Sequence, residues 1–241
     1  MKAFLTLAAL IAGSSAVAGE LWTYTPPAGC TAHLTVQSAD CTVSHFWTCE
    51  GDPAGHQWEL TLNGDLGQLL KLIDYEYRWL KSFYPEDGTK EILVSPEQDP
   101  ASLSELLSRG RDDMDFELLV SFGEGPSEVE GYRGYDKLTG ETVVVDGEAL
   151  LKTQYSMTST DQDGQLIKRS SGNQFVSERF RIFLGGAERY LYADGSEERF
   201  DFSPVLFREP GEHGFLAVEP IFGCGGEISS LPLISSEKME S

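Results

Sequence analysis

The chain has 241 residues, with 18 Lys+Arg against 39 Asp+Glu and a formal net charge of −21. A field of that sign repels phosphate backbones and anionic headgroups, which argues against a nucleic-acid partner and against a polybasic membrane anchor. Apolar content of 40% and aromatic content of 11% are too high for a disordered acidic chain, and the length is enough to bury a core.

Residues 1–18 read as a signal peptide. Lys2 is the positive n-region, Ala3 to Ala12 is the apolar stretch, and Ala16-Val17-Ala18 is a small-x-small cleavage site, so the mature chain is expected to begin at Gly19. That apolar stretch is far shorter than the ~20 residues a membrane span needs, and no other segment approaches one. The expectation is an exported protein, periplasmic or secreted, with no transmembrane segment.

Cys30, Cys41, Cys49 and Cys224 are even in number, and no CxxC pair occurs. In an oxidising compartment two disulfides are the default. Residues 30 to 49 read as a hairpin turning near Ser38-Ala39-Asp40. A register in which Cys30 opposes Cys49 puts Ala32, Leu34 and Val36 across from Trp47, His45 and Val43 on one mostly apolar face. It also brings Cys30 within bonding reach of Cys49. The expected pairs are Cys30–Cys49 and, by elimination, Cys41–Cys224, with Cys30–Cys41 and Cys49–Cys224 as the alternative.

Gln57 to Leu62 alternates as a strand and turns at Asn63-Gly64. Leu66 to Tyr84 carries both a helical apolar stripe and strand-like aromatic density, and two strands with a break near Asp74 are preferred. A turn at Pro85–Gly88 leads into a short strand, Glu91 to Val94. Ser102-x-x-Glu105 is a capping box, Leu103, Leu106 and Leu107 form a stripe, and Gly110 is a stop signal, which together predict one short helix plugging an end of the sheet. Strands are expected over Asp112–Phe122, Val129–Tyr135 and Glu141–Val145, with a turn at Asp136–Gly140. Asp146-Gly147 is the strongest hairpin signal and opens a strand over Glu148–Thr158. Further turns are expected at Asp161–Gly164, Gly172-Asn173, Gly185-Gly186 and Asp194-Gly195, separating strands Gln165–Ser170, Gln174–Phe183, Arg189–Tyr192 and Glu198–Phe202. A last strand is expected within residues 215–222, and residues 227–241 read as a polar flexible tail.

This spacing argues a mainly β fold: one domain over residues 19–226, an antiparallel meander forming a barrel or half-barrel, with a β-sandwich as the alternative. Lys152, Gln154, Glu178, Arg179 and Arg181 make the outward faces too polar for a lipid-embedded barrel.

No catalytic motif, metal-ligand cluster, nucleotide loop or cofactor signature occurs. Asp161 opens a calcium-like run, but the sixth and twelfth positions hold Leu166 and Gly172, so the pattern fails. Asp112, Asp113 and Asp115 read as solvated strand-end carboxylates. His45, Trp47, Tyr75, Tyr77 and Trp79 are the candidate ligand-binding residues, as part of an aromatic set that in a curved sheet would line a cavity. The outline resembles, in architecture only, the half-barrels that shuttle lipoproteins or lipids in the periplasm, and more distantly the lipocalins. The expected function is non-enzymatic binding of a hydrophobic small molecule or an envelope protein. The alternatives are a structural or assembly factor of the envelope, or a hydrolase on a β scaffold.

Overall fold

Alternating side chains and short polar turns build a continuous antiparallel ladder. The structure is a computed structural model that describes residues 21–63, 66–123 and 125–223. Its strands are β1 (Cys30–Ser38), β2 (Val43–Cys49), β3 (Gln57–Asn63), β4 (Leu66–Ile73), β5 (Trp79–Tyr84), β6 (Thr89–Asp99), β7 (Arg111–Ser121), β8 (Ser127–Val145), β9 (Glu148–Thr160), β10 (Leu166–Ser177), β11 (Ile182–Tyr192), β12 (Glu197–Asp201) and β13 (Pro204–Arg208). The single helix among the described residues, α1 (Leu103–Arg109), lies between β6 and β7. All 13 strands form one sheet in the order β12-β11-β10-β9-β8-β7-β6-β5-β4-β3-β2-β1-β13. The meander expectation holds, and the sandwich alternative does not, because the described residues form no second sheet.

The sheet is not closed by hydrogen bonds, yet it coils back on itself. Only Phe202 and Ser203 separate edge strand β12 from edge strand β13. A chain of that length spans at most roughly 11 Å, so the two edges lie side by side where they are joined. Phe202 N–H donates to the Gly186 carbonyl of β11, while the Ser203 carbonyl accepts from Ala39 beyond β1. The result is a trough with an inner and an outer face.

Hairpins alternate between the two ends of the trough. The end carrying the β4–β5, β8–β9 and β10–β11 turns is filled by an apolar cluster of Leu34, Phe46, Ile73, Leu150, Val176 and Ile182, with Leu103 and Leu106 of α1. The helix forms as its sequence predicts: Ser102 Oγ accepts the Glu105 N–H, and Gly110 ends it with a left-handed φ of 77°. Tyr77 O–H donates to the Phe183 carbonyl, and Gln57 reaches the Phe180 and Arg181 carbonyls, so opposite walls are tied across this end. Arg208 and the Phe207 N–H both bind Asp146, joining β13 to the β8–β9 turn.

The segment 66–84 forms two strands with its break at Asp74, whose carboxylate accepts the Glu76 and Arg78 N–H groups. Four other expectations are corrected. Asp136–Gly140 is not a turn; β8 runs through it with a register shift between Leu138 and Thr142. Gly172-Asn173 and Gly185-Gly186 also lie inside strands, and the true turn falls between Ser177 and Ile182. These glycines mark close backbone approach: a Cβ on Gly172 would strike the Ala187 carbonyl, and one on Gly186 would strike Asn173. Pro204 starts an edge strand, where its missing N–H is tolerated, while residues 215–222 make only an isolated bridge, Thr23–Ala217.

The fourth correction concerns the first hairpin. Cys30, Thr31 and Ala32 pair with Cys49, Thr48 and Trp47 in the expected register, but a bulge at His33 then shifts it by one, so Thr35 opposes His45. Leu34 and Val36 therefore turn into the trough, and His45 shares the outer face with Thr35 and Gln37. The Cys30–Cys49 disulfide forms as expected, with Cα atoms 4.0 Å apart. Cys41 is also disulfide-bonded; Cys224, its expected partner, lies outside the described residues, as do residues 1–18, read above as a signal peptide, and 227–241, read as a polar tail.

The bond links residues 19 positions apart. Replacing both Cys30 and Cys49 by Ala is expected to cost about 3 kcal/mol from restored loop entropy, measured as a lower urea midpoint.

Candidate functional site

Period-two alternation sends one side chain in two into the trough, and these enclose a cavity of about 440 Å³ above the apolar plug. That volume falls within the range of small-molecule sites. One wall is an aromatic ladder from β5, β7 and β8. Trp79 meets Phe116 edge-on at 6.2 Å, and Phe116 stacks on Tyr132 at 5.3 Å. Leu93, Met114 and Met157 fill the gaps between these rings. The adjoining wall is polar. Tyr155 of β9 and Tyr190 of β11 both donate to Glu188 Oε2, at 2.8 and 2.9 Å.

Two lysines enter the cavity. Lys71 pairs with Glu59 at 2.8 Å and lies over the Tyr77 and Trp79 rings at 5.5 and 5.8 Å. Burial alone would lower its pKa, but the Glu59 carboxylate and the Tyr77 phenol outweigh that and hold the ammonium above the ordinary lysine range. Lys168 Nζ sits 4.4 Å from the Tyr190 ring centroid, and its charge acts on Glu91 and Glu188. Burial raises the pKa of both those carboxyls against that pull.

Asp112 and Asp136 are direct cross-strand partners on β7 and β8 and both line the cavity. Asp112 Oδ2 accepts the Ser102 N–H at 2.8 Å. Burial, with negative neighbours Glu105, Asp99 and Asp113, still pushes its pKa up to about 6. Asp136 is 8% exposed, and its Oδ1 is buried with no hydrogen-bond partner. Burial first, then the charges of Asp112 and Glu188, push its pKa to about 7.

The five residues proposed from sequence divide. Tyr77 and Trp79 line the cavity. Tyr75 lies in the β4–β5 turn, half exposed, with the Arg181 guanidinium 3.7 Å from its ring centroid. His45 and Trp47 are on the outer face under the N-terminal segment: Tyr24 stacks on His45 at 5.5 Å and touches Trp47 at 5.4 Å. Thr35 Oγ1 accepts the Leu216 N–H and shares a hydrogen bond of 3.0 Å with His45 Nδ1. Burial lowers the His45 pKa to about 4, so the ring is a neutral core group.

Asp112, Asp136 and Glu188 were missed as site residues. Asp112 is in phase with Met114, Phe116 and Leu118, an alternation that places it on the inner face. Asp136 carried no such signal, because Lys137 to Gly140 read as a turn. Among the described residues no group of three His, Cys, Asp or Glu side chains has metal-binding geometry, and no helix is long and apolar enough to cross a membrane. Comparison with known protein families, with characterised proteins and with solved structures finds no match.

His45 and Asp136 act on stability with opposite pH dependence. His45 has a folded pKa below its unfolded value of about 6.5, so its contribution is full above that pH and is lost as pH falls toward 4. Asp136 has a raised folded pKa, so its contribution is full below an unfolded value of about 3.9 and is lost as pH rises through 7. In thermal melts from pH 4 to 8, Asp136→Asn is expected to gain on wild type as pH rises, by about 2–4 kcal/mol at the plateau. His45→Gln is expected to flatten the acid limb instead. Melting profiles parallel to wild type would contradict both assignments.

Proposed function

We propose that this protein is a non-enzymatic binding protein that holds a small amphipathic molecule in the trough of its coiled sheet, and that it works outside the cytoplasm. The observation that carries the reading is the cavity: about 440 Å³, walled on one side by the Trp79–Phe116–Tyr132 ladder and on the adjoining side by hydrogen-bonding Tyr and Glu side chains. An apolar body gains by leaving water against the rings, and the few polar groups fix its orientation. A packed plug at one end and a cross-tied β4–β5/β10–β11 corner give the site a rigid base. Export is supported by the signal-like residues 1–18 and by the Cys30–Cys49 disulfide, which persists in oxidising compartments.

Native mass spectrometry of the protein purified without reduction from its own host tests this directly. A mature chain starting at Gly19, carrying a few hundred Da that leaves on denaturation, is the expected outcome. In solution, Trp79 emission should shift as an apolar aromatic probe enters, and Trp79→Ala should weaken uptake by about tenfold, the loss of one well-packed aromatic contact. A bare chain that takes up no probe would refute the carrier reading.

A further inference from the structure

The cavity contains more negative charge than its own cations neutralise. Glu59 is held by Lys71 at 2.8 Å, and Glu97 by Arg78 at 3.0 Å. Glu188 accepts from two tyrosines and feels Lys168, which also acts on Glu91. Asp136 has none of this. Its cross-strand partners are Asp112 on β7 and Tyr155 on β9, and the Tyr155 hydroxyl is committed to Glu188. The charges that act on it, Asp112 and Glu188, are both negative. Behind Asp112 stand Glu105 of α1, Asp99 of β6 and Asp113 of β7, again all acidic. A buried carboxyl thus lines a cavity large enough for a ligand, and one of its oxygens has no hydrogen-bond donor. A buried acceptor left unmade is costly, and proteins retain such groups where something else supplies the donor.

We propose that the cavity takes a protonated organic amine on an apolar body, with Asp136 as its counter-ion and hydrogen-bond acceptor. This rests on the carrier reading and names the ligand class. An ammonium N–H would pair with the Asp136 carboxylate from the cavity and offset the mutual repulsion of Asp136, Asp112 and Glu188. The Phe116 and Tyr132 rings on the neighbouring wall suit the apolar body, and aromatic faces attract the cation itself. A quaternary ammonium has no N–H to give that carboxylate, so the site favours primary to tertiary amines. A carboxylate or phosphate ligand would meet like charge at this end of the cavity.

Binding is coupled to pH. Asp136 titrates near neutrality in the empty protein, and only its ionised form pairs with the ligand. Affinity therefore rises with pH, and binding at neutral pH releases a proton. Asp112 and Glu188, whose pKa values are also raised, titrate in the same sense and steepen the dependence.

Three probes with one apolar body decide the matter: 2-naphthylethylamine, 2-naphthylethanol and 2-naphthylacetate, titrated calorimetrically and by Trp79 emission. The amine stays protonated throughout, since its pKa is roughly 10 like that of a lysine. At pH 8 the amine is expected to bind at least about tenfold more tightly than the alcohol, with the acetate weakest. Amine affinity should fall about tenfold from pH 8 to pH 6, and calorimetry in buffers of different ionisation enthalpy should show proton release. Asp136→Asn should bring the amine-to-alcohol ratio near one while alcohol binding persists, which also reports that the variant is folded. Asp112→Asn should keep the amine preference and weaken only its pH dependence. Equal binding of amine and alcohol to wild type would overturn the amine assignment and leave the carrier reading standing. An amine preference that survives Asp136→Asn would overturn the role of Asp136. Binding of none of the three would remove both readings together.

Discussion

The structure depends on one constraint: a single antiparallel sheet has to coil until its two edges meet. The Phe202-Ser203 connection enforces it, because so short a chain cannot bridge edges that are far apart. Once β12 and β13 are brought together, one face of every strand points inward. Every inward side chain must then be packed, paired or left facing a cavity. Glycines at sites of tight backbone approach, and bulges at His33, Asn173 and between Leu138 and Thr142, supply the local twist that coiling requires. The edges left over are short. All five residues of β12 are exposed, and its Glu197, Glu198, Arg199 and Asp201 discourage pairing with another chain.

Inside the trough two regimes meet. The plug is apolar and is capped by α1 and the cross-tied turns, so it sets the rigidity of the base. Above it the lining is amphipathic, and burial there works against ionised groups. Most are offset by a partner, as Glu59 is by Lys71, or by hydroxyl donors, as Glu188 is by Tyr155 and Tyr190. Asp136 is left out of that pairing, and its Oδ1 is buried with no hydrogen-bond partner. An unpartnered buried carboxyl lowers stability at that point, a cost that under the proposed function a ligand would offset.

The outer face shows the same logic with the opposite outcome. Thr35, Gln37 and His45 would be poor core residues in isolation, but the terminal segments cover them and supply donors to the Thr35 hydroxyl and the Gln37 amide oxygen. Leu216 N–H donates to Thr35, Ile221 and Phe222 N–H groups donate to Gln37, and Tyr24 covers His45. These polar side chains are thereby stapled under the chain ends. A histidine that looked like a site residue became part of the core.

Period-two alternation, turn chemistry and cysteine parity are local, and they determined the meander, the Asp146-Gly147 hairpin, the Ser102-capped helix and the Cys30–Cys49 pair from the sequence alone. They also placed Trp79 of β5 on the aromatic wall, because odd and even positions of a strand cannot share a face, whereas Tyr77 reaches the cavity from the β4–β5 turn. What they could not resolve was any glycine or polar run whose role depends on a neighbouring strand. Gly172, Gly186 and residues 136–138 carry turn-like composition, yet cross-strand pairing keeps them within strands. The one-residue bulge at His33 leaves no mark in composition, and it moved His45 from the inner face to the outer. The tertiary structure alone decided that Asp112, Asp136 and Glu188, 76 residues apart from first to last, face one cavity. Coiling of the sheet, a non-local event, sets which charges share a low-dielectric space.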